Sequence, residues 1–220
     1  PDGGFSMKPW LLALPLLACS HATPQPAAAA PPPAAAAAPA AAAPGPGPAA
    51  GEAIAAFETV RTVLQSPRCV NCHPAGDVPL QGDDGHLHEP PITRGPEGRG
   101  VAGVSCSTCH GKQNLPASYG AHMPPGVSTD WRLPPADHRL VFWGLDSKAL
   151  CEQIKDPKRN GGKSLAELTH HMTEDALTLW GWSPGYGRKP VAISHDQFVR
   201  AYRTWADAGM PCATRTARNP

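Results

Sequence analysis

The sequence has few aromatic residues, no basic run and no clear alternation of polar and apolar residues. Aromatic residues make up only 6% of its 220 residues, and the formal net charge is +1. Without a basic run or basic residues interleaved with aromatics, nucleic-acid binding is not expected. Without alternation, no strand is predicted, and the expected fold is mainly α with long loops.

Residues 22–50 contain neither branched aliphatic nor aromatic side chains and consist almost wholly of Ala and Pro. Such a segment cannot bury enough apolar surface to fold, and its prolines favour an extended chain. We therefore predict a disordered Pro/Ala-rich linker over 20–50. A single folded domain is expected over 51–213, followed by a flexible tail over 214–220.

The segment 1–19 has the pattern of an export signal. Met7 is the expected start, and the apolar run 10–18 is too short to span a bilayer. The run ends Leu-Leu-Ala-Cys, which is typical of a bacterial lipobox. We expect cleavage before Cys19 and acylation of that residue, and hence a lipid-anchored periplasmic protein. A plain secretory signal with an incidental Cys19 is the alternative.

Two copies of Cys-x-x-Cys-His, at 69–73 and 106–110, are the most informative feature. Chance would produce one such motif in roughly one chain in a hundred of this composition. The two thiols can add to the vinyl groups of a haem, and the adjacent imidazole can bind its iron. The motifs predict two covalently bound haem c groups, held by Cys69, Cys72, His73, Cys106, Cys109 and His110, with His73 and His110 as proximal iron ligands.

Three of the seven cysteines lie outside these motifs. Cys19 is assigned to the lipid, so Cys151 and Cys212 remain, and in an exported protein they predict a disulfide. Two buried free thiols are the alternative. A zinc site made by the two Cys-x-x-Cys pairs is a further alternative, disfavoured by the histidine after each pair and by their wide separation.

Helical periodicity and capping patterns predict five short helices. The first covers 52–65, with its apolar positions at helical spacing. Others begin at Ser147, at the capping box of Ser164 and at the capping box of Ser194, the last ending at Gly209. Thr173 is a candidate cap for a further short helix. The segments between these helices are long for loops in a compact domain, which is unusual unless a bound group organises them.

Each haem iron has room for a second axial ligand. The candidates are His86, His88, His122, Met123, His138, His170, His171, Met172, His195 and Met210. His88 follows the first motif on a loop that could fold back over a porphyrin. His171 shares a predicted buried helix face with Leu168, and Leu165 is expected to point inward as well. We favour His88 and His171 as distal ligands, with His86, His138, His170 and Met172 as alternatives.

Several blocks of the sequence resemble the small dihaem cytochromes of the isoquinoline 1-oxidoreductase subunit family. The resemblance extends over residues 55–213, and Cys151 and Cys212 fit the family pattern. The blocks are 63–77, Gln81-Gly82-Asp83-Asp84 with His86 and His88, 154–162, 170–175 and 180–185.

The resemblance implies an electron-transfer role, with electrons received from a molybdenum hydroxylase of the xanthine oxidase type. One departure concerns the segment 133–140, where many relatives have a methionine and this chain has none. If that methionine is a ligand in relatives, His138 is its candidate replacement here.

The sequence thus predicts a lipid-anchored periplasmic dihaem electron carrier that passes single electrons from a partner dehydrogenase to the respiratory chain and is not itself an enzyme. A dihaem peroxidase-like enzyme with one open iron position is the main alternative. A haem-based sensor or structural module is the third. The surplus of histidines favours full coordination of both irons, and hence the electron carrier.

Overall fold

The computed structural model describes residues 49–127 and 131–214. The predicted signal segment, Cys19 and nearly all of the predicted linker lie outside the described residues. So does the predicted tail beyond Thr214.

The described chain is mainly helical with long connecting loops, as the sequence predicted. Its α-helices are α1 (Ala50–Leu64), α2 (Pro67–Val70), α3 (Ser147–Lys155), α4 (Pro157–Asn160), α5 (Leu165–Thr173), α6 (Ala176–Leu179) and α7 (His195–Asp207). Short 3-10 turns cover Cys106–Thr108, Ala117–Tyr119, Ala136–His138 and Trp180–Trp182.

The prediction that the chain has no strands was wrong. Two antiparallel hairpins are present, β1 (Leu80–Gln81) with β2 (His86–Leu87), and β3 (Gly100–Val101) with β4 (Val104–Ser105). Two-residue strands are too short to show alternation. Their turns depend on glycines with positive φ, such as Gly103 at +86°, a conformation that costs glycine little.

The four longer predicted helices are confirmed, with small shifts at their ends. α1 buries Phe57, Val60 and Val63 at the predicted spacing. At the start of α5, Ser164 and Glu167 form both hydrogen bonds of the capping box. α7 begins after Ser194, whose hydroxyl accepts a hydrogen bond from the backbone N–H of Gln197, so only one of the two bonds of the predicted capping box is formed.

Two local predictions were wrong. Thr173 does not cap the next helix, because its hydroxyl donates to the carbonyl of Thr169 inside α5 (2.8 Å). Asp175 caps α6 instead, accepting from the backbone N–H of Leu177. Leu165 is 45% exposed rather than buried, because it is the first residue of α5, which turns its inner face to the core only from Leu168 onward.

The core is built by the two ends of the described chain. α1 packs against α7, and the rings of Phe57 and Trp205 lie 4.6 Å apart. Between Asn71 and Val141, Pro74 and Leu133 are the buried apolar side chains among the described residues. Cys151 and Cys212 are joined in the predicted disulfide with Cα atoms 5.7 Å apart. Within the described residues, no helix has the length and hydropathy to cross a membrane.

Candidate functional site

Both pentapeptides form the same helical turn. The backbone N–H of His73 donates to the carbonyl of Cys69 (3.1 Å), and that of His110 donates to the carbonyl of Cys106 (3.0 Å). Side chains three residues apart on such a turn lie on one side of it. Each cysteine pair therefore faces one side, with the histidine immediately beyond.

His73 is held in one orientation by its surroundings. Its Nδ1 lies 2.9 Å from the carbonyl oxygen of Leu140, and its ring stacks on Phe142 with centroids 3.9 Å apart. A carbonyl can only accept, so Nδ1 carries the proton and Nε2 keeps its lone pair. Burial lowers the pKa of His73 to about 3, which keeps the imidazole neutral and ready to bind a metal.

His110 repeats this arrangement at the second pentapeptide. Its Nδ1 lies 2.9 Å from the carbonyl oxygen of Pro125, and its ring stacks almost parallel on Trp131 with centroids 4.5 Å apart. Trp131 in turn meets the edge of Trp180. Burial lowers the pKa of His110 as well. The Nε2 lone pair of His110 is therefore also available.

Burial raises the pKa of three of the four motif thiols, to about 12 for Cys69, to about 11 for Cys72, and also for Cys106. The zinc alternative needs the four thiols in one group. Within residues 49–127 and 131–214, no group of three or more His, Cys, Asp or Glu could hold a metal ion.

The two motifs approach each other. Cys106 lies close enough to Cys72 for its charge to contribute to the raised pKa of the latter, after the larger effect of burial. Groups attached at the two motifs would therefore be neighbours in one domain.

Of the favoured distal candidates, His88 lies beside one motif histidine and His171 acts electrostatically on the other. The ring of His88 lies 6.0 Å from that of His110, centroid to centroid. His171 lies close enough to His73 to contribute to its lowered pKa, after the effect of burial. The Nδ1 of His88 lies 2.8 Å from the carbonyl of Pro90, and that of His171 lies 3.5 Å from Asp175. In both, the anchored nitrogen is Nδ1, as in His73 and His110.

The alternative candidates lie in other surroundings. Both ring nitrogens of His86 have partners, Asp84 and Gln81. The side chain of His170 is 66% exposed and pairs with Glu174.

His138 and Met172 differ in burial. The side chain of His138 is 44% exposed and lies beside Asp137. Met172 is 4% exposed and belongs to the hydrophobic core with Leu168.

Two buried arginines near the first motif were missed by sequence reasoning. Arg68 is 5% exposed and Arg94 is 1% exposed, and both interact electrostatically with Cys72. The Nε of each is buried without a hydrogen-bond partner among the described residues. Arg68 directly precedes Cys69, which was an available signal, whereas nothing local marks Arg94.

These arginines favour an anionic group nearby. Arg68 is partly compensated by Asp83, at 2.7 Å, and the Nε of Arg94 lies 3.7 Å from Asp77. A buried cation with unused hydrogen-bonding capacity is costly unless it is paired. Haem carries two carboxylates, so the residues around the first motif fit that group in charge as well as in ligands.

Comparison with known proteins finds no relative. No protein-family model, no curated protein sequence and no solved structure matches this chain.

Proposed function

We propose that the chain is a dihaem c-type cytochrome, an electron carrier with two covalently bound haem c groups. The observation that carries the proposal is the repeated site: two Cys-x-x-Cys-His turns of the same backbone geometry, each with a neutral histidine anchored through Nδ1. A backbone acceptor on the second nitrogen is what orients a metal-binding histidine and sets its tautomer. Finding it twice in one chain is the strongest support.

The chain's own residues would hold and orient the two groups. Cys69 and Cys72 would attach one haem, and Cys106 and Cys109 the other. Phe142 and Trp131 keep the proximal rings from turning, because each stacks on one of them. His88 and His171 are the proposed distal ligands. When bound, haem supplies the one-electron chemistry, and the protein tunes it by ligation and burial.

Full coordination of both irons distinguishes this proposal from the peroxidase-like alternative. An enzyme of that kind keeps one iron position open for its substrate. Each motif histidine here has an anchored histidine beside it, which favours two six-coordinate irons and a carrier with no bond chemistry of its own.

The proposed location and partners follow from the sequence. An export signal with Cys19 as a lipid anchor supports a periplasmic protein tethered to a bacterial membrane by a Pro/Ala-rich linker. Resemblance to the isoquinoline 1-oxidoreductase subunit family supports a molybdenum hydroxylase of the xanthine oxidase type as electron donor and the respiratory chain as acceptor.

The test is expression of the full chain in a bacterium with the cytochrome c maturation system. We expect the denatured protein to retain two haem groups per chain, measured by mass spectrometry and by the pyridine haemochrome spectrum. The Cys69→Ala/Cys72→Ala and Cys106→Ala/Cys109→Ala variants should each retain one. A wild-type chain without covalent haem would overturn the proposal.

The spin state separates the two functions. Electron paramagnetic resonance of the ferric protein should show two low-spin haems, and the protein should not turn over peroxide. A high-spin haem in the wild-type protein, together with peroxide turnover, would favour the peroxidase-like enzyme instead.

A further inference from the structure

The segment between the two motifs brings His88 to the second motif rather than the first. His88 follows His73 in sequence, yet its ring centroid lies 6.0 Å from that of His110, with the planes at 43°. Two imidazoles that bind one metal from opposite sides must approach to a few ångströms, since each metal–nitrogen bond is about 2 Å long. The 6.0 Å between the ring centroids of His88 and His110 is within this range.

The position of His88 is determined by hydrogen bonds around the β1–β2 hairpin. Its backbone N–H donates to the carbonyl of Pro79 (2.9 Å), and its Nδ1–H donates to the carbonyl of Pro90 (2.8 Å). The side chain is thus tied to its own loop through one nitrogen, and Nε2 is left for a partner outside the loop. In His110, too, Nδ1 is the nitrogen that the backbone holds.

The other favoured distal candidate, His171, belongs to a different element. His171 lies on α5, which packs on α7 and so belongs to the helical core. Since His88 lies beside His110, His171 is the favoured candidate that remains for His73. The Nδ1 of His171 lies 3.5 Å from Asp175, the residue that caps α6, so this imidazole is held through the same nitrogen as His88.

We propose that the axial ligation is crossed: His88, from the loop after the first motif, binds the iron of the second haem opposite His110, and His171 binds the iron of the first haem opposite His73. This inference rests on the proposed dihaem function and goes beyond it by assigning each distal histidine to one iron. The segment 74–87 then joins the proximal ligand of one haem to the distal ligand of the other.

The test uses one-haem proteins made by removing one attachment motif. In the Cys106→Ala/Cys109→Ala background, which keeps the first haem, His88→Ala should leave the low-spin signal unchanged and His171→Ala should abolish it. In the Cys69→Ala/Cys72→Ala background, which keeps the second haem, His88→Ala should abolish the low-spin signal and His171→Ala should leave it unchanged. Matched controls are His86→Ala and His170→Ala, which remove neighbouring histidines and should leave the low-spin signal unchanged in both backgrounds.

A second test keeps both haems and counts low-spin signals in double variants. If His88 and His110 bind one iron, His88→Ala with His110→Ala leaves half of the low-spin signal. Replacing His88 together with His73 removes all of it, because each iron loses one ligand. The opposite pattern overturns the crossed assignment while leaving the dihaem proposal intact. A wild-type chain without covalent haem overturns both.

Discussion

The two attachment motifs have the same local turn but very different surroundings. The first, Cys69–His73, continues from α1 and α2 into the helical core and has two buried arginines beside it. The second, Cys106–His110, follows the short hairpin of β3 and β4, and its Cys109 is exposed. Apart from Pro74 and Leu133, no apolar side chain of the described residues is buried between Asn71 and Val141.

This difference shows what each site requires. The first can be held by protein packing alone, because its neighbours are buried through contacts among α1, α3, α5 and α7. The second depends on the hairpins, on Trp131 and on the group it would bind. We therefore expect the first haem to lie in a rigid, buried site and the second in a more exposed site.

The largest expected effect comes from breaking the core on which the first site rests. Trp205 is fully buried against Phe57, and replacing it by Ala should cost about 3–5 kcal/mol in the free energy of unfolding. Val104, on β4, is 40% exposed, and Val104→Ala should change that energy by less than about 0.5 kcal/mol. Urea unfolding of both variants checks the contrast, and equal losses would contradict it.

Removal of the disulfide should affect only the helical region. Cys151 and Cys212 close a loop of sequence separation 61, and replacing both by Ala should cost about 2–4 kcal/mol in unfolding free energy. The haem at the second motif should keep its spectrum, since neither cysteine belongs to that region. An unchanged urea midpoint would show that the bond contributes nothing to stability.

As the pH falls, His110 should leave the iron of the second haem before His73 leaves the iron of the first. Only a neutral imidazole binds iron, and burial lowers the pKa of His73 to about 3. An unfolded histidine titrates near 6.5. Stability that depends on neutral His73 is therefore complete above about pH 6.5 and is lost as pH falls from there towards 3.

The measurement is an optical pH titration of the ferric protein. We expect two steps from low to high spin, with the second site changing first, because burial lowers the pKa of His73 further than that of His110. The one-haem variants assign the steps. A first site that changes at the higher pH would reverse the comparison.

The smallest effect should come from the cap of α5. Ser164→Ala removes the capping box of the helix that carries His171 and should cost about 1 kcal/mol. Ser194→Ala removes the single cap hydrogen bond of α7, a helix that carries no proposed ligand. Both should lower the urea midpoint by similar amounts, but only Ser164→Ala should raise the high-spin fraction of the first haem. Equal spectra would contradict a role for α5 in ligation.

Sequence reasoning predicted the helices well where periodicity and capping act within a few residues. α1, α5 and α7 are of this kind, because their apolar spacing and cap residues determine them locally. The hairpins were missed because two-residue strands leave no pattern of alternation. The cap of α6 was assigned to the wrong residue because the hydroxyl of Thr173 donates to the carbonyl of Thr169 within α5. Such competition among nearby hydrogen bonds is not visible in residue types alone.

At the candidate site, the motif cysteines and histidines were identified from sequence, whereas their environment was not. Arg94, Trp131 and Phe142 come from distant segments and carry no motif. The candidate distal histidines could be enumerated from the sequence. His88 and His171 were already favoured among them. The structure adds the hydrogen-bond partners, which differ between His86 and His88 although the two are only two residues apart.

The sequence by itself determined the spacing of thiols and imidazole, because a helical turn is a property of a few adjacent residues. It also determined which faces of the main helices are apolar. Only the tertiary structure decided the tautomers of His73 and His110, since their acceptors, Leu140 and Pro125, lie 67 and 15 residues away. It likewise decided which second histidine lies beside each motif, because contacts between loops and helices depend on how the whole chain packs.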